Sequence, residues 1–294
     1  MTPWLALVNP YAAQGRQARS RVEAALRKRG ITGEVLEVDG IAALRDTVSM
    51  AVSEGRNRFV AVGGDGTVNA VLNALLEHEW KEPPILGVLP AGTGCDLLRT
   101  FGIGNRIESA VDRLAGDNTY PVDVGLAIGG WGRRFFLNVA SAGATAAAAQ
   151  AAFRLPGWLG TLRYAGGVAR SLPGFRTCDI SLEAGGRRFA GESLAVVFAN
   201  GQFFGGGFNI APRASMVDQL LDIQVITARK REVGRLMPKA RGGHHLSDPA
   251  VRRFVASEVR LESAQPWPVE TDGEPIGTTP VLIRLQAARI SLKI

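Results

Sequence analysis

The sequence is poor in cysteine, with only Cys95 and Cys178 among its 294 residues. The two lie far apart, and neither belongs to a CxxC pair or a Cys/His cluster, so neither a disulfide framework nor a zinc site is predicted. The first residues also lack the basic start, apolar core and small-residue cleavage site of a signal peptide. These absences favour a protein of the reducing cytoplasm.

Aromatic residues and basic runs are scarce as well. Aromatics make up 7% of the chain, and no basic run is longer than ARKRE at residues 228–232. A stacking platform for nucleic acid is therefore not predicted. The net charge of +7 still favours contact with an anion, such as nucleotide phosphate or an acidic membrane leaflet.

Uncharged runs long enough to cross a membrane occur twice, at residues 135–153 and 193–212. Both runs contain polar side chains and glycines that would leave polar groups unsatisfied in lipid, so neither is predicted to span a bilayer. The composition, 46% hydrophobic and 21% charged, is that of a globular protein with a substantial core. At this length we expect two domains.

The pattern of apolar residues changes near residue 122. Residues 1–122 alternate apolar runs with amphipathic segments, which predicts an α/β domain with a Rossmann-like parallel sheet. Residues 123–294 are dominated by short β-type runs, which predicts a β-rich domain. An alanine-rich stretch, residues 144–171, predicts one or two helices within it. The predicted strands of this second domain include residues 135–139, 255–262, 281–285 and 288–294.

A glycine-rich turn interrupts the stretch RFVAVGGDGTVNAVLNALLE at residues 58–77. The helix that follows the turn has unpaired first amides at the positive end of its dipole, which predicts an anion site. No P-loop lysine motif occurs, and no GxGxxG follows a strand. A carboxylate beside phosphate is explained if Asp65 holds Mg²⁺ against the phosphate oxygens. The alternative is that Asp65 only caps the helix.

Two further turns repeat this arrangement. PAGTGCD, residues 90–96, places glycines, a hydroxyl and Asp96 between the next predicted strand and a helix. NPYAAQGR follows the first strand and adds Asn9, Gly15 and Arg16. Because the carboxyl ends of parallel strands meet at one edge of a sheet, we expect a shared phosphate and Mg²⁺ site there, with Asp65 and Asp96 on the metal side.

These motifs, followed by NGQFFGGGFNIAPRASMVDQLLDI and VETDGEPIG, occur in the order found in the diacylglycerol kinase, sphingosine kinase and bacterial lipid kinase superfamily. The chain resembles that superfamily from Val8 to about Gly277. The resemblance implies a Mg²⁺-dependent kinase that transfers the γ-phosphoryl group of ATP to a diacylglycerol-like or sphingoid-like lipid hydroxyl. It also implies that ATP lies between the α/β domain and a C-terminal β-sandwich, and that the enzyme meets its lipid peripherally at the inner membrane leaflet. A homodimer is left open.

The resemblance also assigns residues. Asp272 and Glu274 match the family's catalytic carboxylate motif, and Asp272 is the expected base for the acceptor hydroxyl. The alternative is that TDGEP is only a hairpin turn. The family's nucleotide-contacting segments match Asn9, Pro10, Tyr11, Ala12, Ala13, Gly64, Asp65, Gly66, Thr67, Val68, Asn69, Ala70 and Thr93. A family site for structural Mg²⁺ matches Ser215, Asp218 and Leu220, and Asp123 is a further metal-side candidate.

Some residues depart from the family pattern. Ala70 and Cys95 stand where the family has a glutamate and an asparagine, and Ala13 and Gln219 replace glycines. These departures keep a catalytically weakened nucleotide- or lipid-binding module as an alternative, with an NAD kinase as a less favoured one.

Two other features have more than one interpretation. His244 and His245 have no third ligand at a recognisable spacing, so a surface loop is predicted. Residues 153–175 mix apolar side chains with arginines. They form either a lipid entrance at an anionic leaflet or packed core with outward-pointing arginines.

Overall fold

The computed structural model describes most of the chain, namely residues 3–12, 15–91, 94–104, 106–156, 159–160 and 162–294. It divides into two compact units: unit 1, residues 1–122 with 288–294, and unit 2, residues 123–287. Within the described ranges, no helix is both long enough and apolar enough to cross a membrane.

Unit 1 alternates strands with helices. Its strands are β1 (Trp4–Val8), β2 (Gly33–Glu37), β3 (Arg58–Gly63) and β4 (Ile85–Pro90), and its helices are α1 (Gly15–Lys28), α2 (Gly40–Ser53), α3 (Asp65–Leu76), α4 (Asp96–Thr100) and α5 (Ile107–Ala115). The strands run parallel in the order β2-β1-β3-β4, and residues 291–293 add a further parallel partner to β4. The predicted α/β fold with a parallel sheet is confirmed.

Burial explains why these segments form this sheet. Every residue of β1 is buried, as expected for a parallel strand covered on both faces rather than alternating between core and solvent. In α3, the buried side chains of Val68, Val71, Leu72 and Leu75 recur at helical spacing and pack one face inward. The polar turns are left at the carboxyl edge of the sheet, where β1, β3 and β4 end.

Unit 2 is built mainly from antiparallel strands. These are β5 (Tyr120–Gly129), β6 (Gly132–Phe136), β7 (Val139–Gly143), β8 (Cys178–Ala184), β9 (Arg187–Ser193), β10 (Ala195–Ala199), β11 (Phe203–Phe204), β12 (Phe208–Asn209), β13 (Leu221–Ile226), β14 (Val251–Ala256), β15 (Glu258–Ser263), β16 (Pro268–Thr271), β17 (Glu274–Thr278) and β18 (Val281–Lys293). The helices are α6 (Ala144–Phe153), α7 (Leu162–Ser171) and α8 (Val233–Arg241), and short 3-10 turns cover Lys230–Glu232 and His245–Ser247. Strands β5 and β18 each extend past the limits of unit 2.

Two sheets enclose the core of unit 2. One has the order β14-β13-β10-β7-β16-β17, and the other joins β15 to β18 on one side and to β8 and β9 on the other. Phe198 and Val269 from the first sheet meet Leu182, Leu261 and Ile283 from the second in one buried cluster. Strand β8 alternates buried and exposed residues, as a sandwich strand with one covered face should. The predicted β-sandwich is confirmed.

Several strand predictions differ from the structure. The strand expected over residues 135–139 is interrupted after Phe136, because the next three amides bond to a side chain instead of a neighbouring strand. The run 255–262 is divided at Ser257, whose carbonyl accepts a hydrogen bond from the Leu285 amide. The runs 281–285 and 288–294 instead form one strand, with Ala288 in a left-handed conformation at φ +46°.

The histidine prediction is half correct. His244 is exposed, as expected of a surface loop. His245 is buried, contrary to the prediction, and its Nε2 lies 2.9 Å from Gln224 Oε1. The loop therefore turns one imidazole inward, where the side-chain amide of Gln224 partners one of its two ring nitrogens. Residues 144–171 form two helices, α6 and α7, in agreement with the sequence.

Candidate active site

The turn between β3 and α3 is tight because Gly63 has no side chain. A Cβ atom at this position would lie 2.2 Å from Thr67 Oγ1, so a larger residue could not be accommodated without a shift. Asn9 Nδ2 donates a 3.1 Å hydrogen bond to the same Thr67 hydroxyl, and Asn9 Oδ1 accepts one from the Tyr11 amide at 2.9 Å. The turns after β1 and β3 are thus joined at the carboxyl edge of the sheet.

Asp65 joins the turns after β3 and β4. Its Oδ2 accepts a hydrogen bond from the Asp96 amide at 3.0 Å, and its Oδ1 accepts one from the Leu97 amide at 3.2 Å. The Cys95 thiol donates to Oδ1 at 3.3 Å. Asp65 therefore does cap a helix, but the helix is α4 of the neighbouring turn and not α3, which begins at Asp65 itself.

Two carboxylates share this corner of unit 1. Burial, followed by the charge of Asp96, raises the pKa of Asp65 above its ordinary value. Asp96 is itself buried, and its Oδ1 lies 3.7 Å from the guanidinium of Arg99. Burial and the charge of Asp65 raise the pKa of the Cys95 thiol. A cation bound here would relieve the repulsion between the two acids, and their oxygen atoms are ligands that suit Mg²⁺.

The other residues of the predicted nucleotide site are more dispersed. Tyr11 is 76% exposed, whereas Val68 and Asn69 are buried, and Asn69 accepts hydrogen bonds from the Asn73 side chain. The remaining described residues lie in the turn after β1 (Pro10 and Ala12) or at the start of α3 (Gly64, Gly66 and Ala70). Ala13 and Thr93 lie outside the described residues. Nucleotide contact by these residues stays a prediction.

Asp272 occupies the turn of the β16–β17 hairpin. Thr271 pairs with Glu274 across the hairpin, so Asp272 and Gly273 form a two-residue connection. Their φ angles are +48° and +86°, the left-handed pair that characterises a type I′ turn. The hairpin interpretation of TDGEP was therefore correct as far as the backbone is concerned.

The Asp272 side chain does more than form a turn. Its carboxylate accepts three backbone hydrogen bonds, from the amides of Leu137 at 2.9 Å, Asn138 at 2.9 Å and Val139 at 3.1 Å. The Asp272 amide in turn donates to the Val139 carbonyl at 2.8 Å. Charge-assisted bonds of this kind are strong, and three of them fix the carboxylate in one orientation.

Glu274 is paired with a cation. Arg134 Nη2 lies 2.6 Å from Glu274 Oε2. Burial raises the pKa of Glu274, and the nearby Asp272 carboxylate raises it further, whereas the Arg134 guanidinium acts in the opposite direction. Sequence reasoning placed Glu274 beside the predicted base but did not identify Arg134.

A third acid, Glu270, was not identified from the sequence. It is 1% exposed, and its carboxyl accepts hydrogen bonds from Ser141 Oγ at 2.6 Å and from the Gly273 amide at 2.7 Å. Burial, with a smaller contribution from Asp272, raises the pKa of Glu270 to about 8. The available signal was the acid two residues before the Asp-Gly turn in VETDGE, among the last residues of the strand that leads into it.

The predicted structural metal segment forms a separate turn of unit 2. Asp218 is exposed, and its Oδ1 accepts a 3.1 Å hydrogen bond from the Leu220 amide. Gln219 has a left-handed φ of +62°, a conformation that glycine adopts more readily, and its amide donates to the buried Asp123 carboxylate at 2.7 Å. Asp123 thus anchors this turn. Mg²⁺ binding by Ser215, Asp218 and Leu220 stays a prediction.

An apolar cavity of about 90 Å³ lies within unit 2. Its lining includes Tyr164, Val168, Leu172, Phe204, Phe208 and Met237. The Tyr164 ring contacts those of Phe204 and Phe208 edge to face, with centroids 4.8 and 5.3 Å away. Burial and then the charge of Glu270 raise the pKa of the Tyr164 phenol.

The structure thus gathers the predicted residues into three groups. Unit 1 brings Asn9 to Thr67 and Asp65 to Asp96. Unit 2 holds Asp272 and Glu274 on one hairpin, and the turn around Asp218 elsewhere. In the part of the chain that the structure describes, no three His, Cys, Asp or Glu side chains converge as a metal site.

Two family models match this chain. The diacylglycerol kinase catalytic domain matches residues 3–127, and the YegS C-terminal NAD kinase beta sandwich-like domain matches residues 138–293. The second model alone spans more than half of the chain.

Curated relatives agree with these models. The chain is 30% identical over 225 residues to the diacylglycerol kinase of Bacillus subtilis (strain 168), covering 76% of this chain and 72% of that protein. It is 29% identical over 232 residues to the diacylglycerol kinase of Staphylococcus carnosus (strain TM300), covering 78% of this chain and 74% of that protein.

The fold is shared with a solved structure. The crystal structure of a diacylglycerol kinase from Bacillus anthracis str. Sterne matches with a TM-score of 0.73 at 21% identity, over 99% of this chain and 96% of that chain. The sequence matches, the family models and the two-unit fold lead to the same conclusion. The chain belongs to the diacylglycerol kinase family and is a lipid kinase.

Proposed function

We propose that this enzyme uses Mg²⁺ and ATP to phosphorylate the hydroxyl of a diacylglycerol-like lipid at a membrane surface. The observation that carries the proposal is the Asp272 hairpin, whose carboxylate is fixed by three amides. The same unit encloses an apolar cavity. Helix α6, whose first residues line that cavity, packs against both strands of the hairpin. A fixed carboxylate and an apolar cavity that share helix α6 suit an acceptor with a hydroxyl head and a hydrocarbon tail.

The donor side of the reaction fits the carboxyl edge of unit 1. The amides at the start of α3 would receive ATP phosphates, and the Asn9–Thr67 contact would keep the two turns together. Asp65 and Asp96 would hold Mg²⁺, which neutralises charge on the transferred phosphoryl group. Two carboxylates leave coordination positions for phosphate and water oxygens, an arrangement that Mg²⁺ favours.

The acceptor side supplies the base. The lipid hydroxyl oxygen attacks the γ-phosphorus, the bond from that phosphorus to the bridging oxygen of ADP breaks, and the hydroxyl proton passes to Asp272. The three amide donors hold the carboxylate in position for this transfer, which is the main contribution a protein makes to phosphoryl transfer. Glu274, paired with Arg134, supports the same hairpin.

A surface of unit 2 supports peripheral contact with an anionic inner leaflet. Phe153 at the end of α6 and Leu162 at the start of α7 are 64% and 62% exposed, and Arg154 and Arg170 are exposed nearby in the chain. Between Asp123 and Asp179 the sequence has six arginines and no acidic residue. Apolar side chains among cations are the pattern of an interfacial surface on anionic lipid.

Vesicle sedimentation tests this surface. Substituting Phe153 and Leu162 with serine should weaken binding to phosphatidylglycerol vesicles about tenfold or more, because both apolar contacts are lost. Ile41 and Met50 of unit 1 are comparably exposed, at 58% and 66%, and their serine variants serve as the matched control. An equal loss of vesicle binding in the Phe153/Leu162 and Ile41/Met50 variants would contradict the assigned surface.

The proposed reaction is tested by incubating the enzyme with Mg²⁺ and γ-labelled ATP. Separate reactions contain diacylglycerol, a sphingoid base or phosphatidylglycerol in mixed micelles, and a further one contains NAD. Label on a lipid, with diacylglycerol the best acceptor, is the expected result. Label on NAD instead would favour an NAD kinase. ATP binding without transfer to any acceptor would favour a weakened binding module. The observation behind that alternative is the Cys95 thiol, which binds Asp65 where the family has an asparagine.

A further inference from the structure

Glu270 is a buried acid that the proposed reaction does not use. It lies in β16 opposite Ser141 of β7, and the Ser141 hydroxyl donates to its Oε1 at 2.6 Å. Its other oxygen accepts the Gly273 amide at 2.7 Å. With 1% of its surface exposed, it cannot serve as a solubilising or surface-pairing residue. A carboxyl in such a place must contribute enough to offset the cost of its burial.

The hydrogen bond from the Gly273 amide to Glu270 stabilises the turn that contains Asp272. Asp272 and Gly273 both have left-handed φ angles, a conformation that glycine adopts freely and aspartate only at some cost. The chain is held there from two sides. The amides that follow β6 bind the Asp272 carboxylate, and Glu270 binds the amide of the next residue, Gly273. Without Glu270, that amide would lose its partner and the turn one of its two supports.

We propose that Glu270 is a positioning residue, which holds the Gly273 amide against β7 through Ser141 and thereby directs the Asp272 carboxylate toward the acceptor hydroxyl. The inference rests on the proposed function, since it assumes that Asp272 receives the hydroxyl proton. Glu270 itself touches neither substrate nor reacting atoms in this scheme.

The electrostatics of Glu270 suit such a role. Its charge interacts with two titratable groups, the Asp272 carboxylate of its own hairpin and the Tyr164 phenol of α7. Its pKa of about 8 keeps it a neutral carboxylic acid at neutral pH. Glu270 can therefore hold the turn without placing a second negative charge beside the base. Ionisation at higher pH would add that charge in a buried place, where it repels the Asp272 carboxylate and disturbs the position of the base.

Three variants test the inference in the lipid phosphorylation assay. E270A removes the acceptor for the Gly273 amide and should lower kcat about 10- to 100-fold, with KM for ATP changed less than about threefold, because misaligned groups slow the chemical step. E270Q keeps an oxygen for Gly273 and an amide donor for Ser141, so its kcat at neutral pH should stay within about threefold of wild type. E262Q, an exposed glutamate of the same unit, is the control.

The pH profile separates positioning from mere structural support. Wild-type and E262Q kcat should fall as pH rises through about 8, because Glu270 ionises there. The E270Q variant cannot ionise, so its kcat should lack that fall. A kcat profile of E270Q that keeps the same fall would overturn the inference, as would an E270A variant with wild-type kcat.

Failure of this inference can be told apart from failure of the proposed function. If D272N abolishes transfer and the Glu270 variants behave like E262Q, Asp272 keeps its role and Glu270 loses its own. If D272N transfers phosphate at the wild-type rate, the base assignment fails and the inference about Glu270 fails with it. Circular dichroism of E270A and E270Q confirms that each variant is folded before the rates are compared.

Discussion

Asp65 and Asp272 stand in similar local sequences, GGDGT and TDGE, yet the structure uses them differently. Both carboxylates accept hydrogen bonds from backbone amides of another segment. Asp65 begins a helix and binds amides at the start of α4, close to a second carboxylate, Asp96. Asp272 lies in a tight hairpin with a left-handed backbone, and its three donors come from the strand break after β6.

The difference shows how an aspartate in a glycine-rich turn can serve two chemistries. At Asp65, glycines surround the acid and leave open backbone for a ligand, and the neighbouring acid makes the corner attractive to a cation. At Asp272, the amides satisfy and orient a single carboxylate, which suits an acid that exchanges a proton with one fixed partner. We therefore expect metal-dependent defects from changes at the first turn and rate defects from changes at the second.

The largest effect is expected for D272N. Asparagine tolerates the left-handed conformation, and its oxygen can still accept the Asn138 and Val139 amides, so the hairpin should survive. Its NH2 group can accept neither the Leu137 amide nor the hydroxyl proton. We expect kcat to fall by about 10² to 10⁴, with the Kd for ATP within about threefold of wild type. Steady-state kinetics and calorimetric ATP titration measure the two quantities. An unchanged kcat would contradict the assignment of Asp272 as the base.

The next effect is expected for D65N. An amide cannot accept from Asp96, Leu97 and Cys95 on both of its sides, so the α4 cap is weakened by about 1 kcal/mol. The loss of charge should also raise the Mg²⁺ concentration needed for half-maximal activity about tenfold. D46N, an exposed aspartate of α2, is the matched control. An identical Mg²⁺ dependence in D65N and D46N would rule out a metal role for Asp65.

A third test concerns stability around the Asp272 turn. The pKa of Glu270 is raised from 4.5 to about 8, so folding favours the protonated acid. That stabilisation is complete below about pH 4.5 and is lost as pH rises through about 8, at about 1.4 kcal/mol per pKa unit. Because glutamine does not titrate, the Tm of E270Q relative to wild type should rise between these limits. A difference that is constant with pH would contradict the raised pKa.

The smallest effect is expected for C95N, which restores the family pattern at the Asp65 turn. The Cys95 thiol is a weak donor to Asp65, and an asparagine amide would be a stronger one. Better orientation of Asp65 should lower the Mg²⁺ requirement about two- to threefold. The same change at the buried Cys178 is no control, because it alters the sandwich core. The Mg²⁺ titration of C95N is compared with wild type instead, and a raised requirement would contradict the expected gain.

The fold followed from local patterns where those patterns coincide with burial. Apolar runs that end in glycine turns predicted β1, β3 and β4, because parallel strands are covered on both faces. The strand over residues 135–139 was wrong in detail because its break depends on Asp272, more than a hundred residues away. The inward turn of His245 likewise depends on Gln224 of strand β13, about twenty residues earlier. The periodicity of apolar residues along the chain does not predict contacts between distant segments.

The site was predictable to the extent that topology brings strand ends together. The parallel-sheet rule predicted that Asp65 and Asp96 would meet, and they do. The rule did not predict that the Asp65 carboxylate would cap α4 by accepting the amides of Asp96 and Leu97. The sequence did not identify Glu270 as a site residue, because an acid is rarely buried in a strand. Its burial is explained only by its partners, Ser141 and Gly273.

Calorimetric titration of ATP into D65N and D272N, each over a series of Mg²⁺ concentrations, tests the contrast between the two turns most directly. We expect D65N to shift the Mg²⁺ dependence of ATP affinity about tenfold, whereas D272N should bind Mg²⁺ and ATP like wild type although its kcat falls by about 10² to 10⁴. Equal shifts in both variants, or a shift in D272N alone, would contradict this expectation.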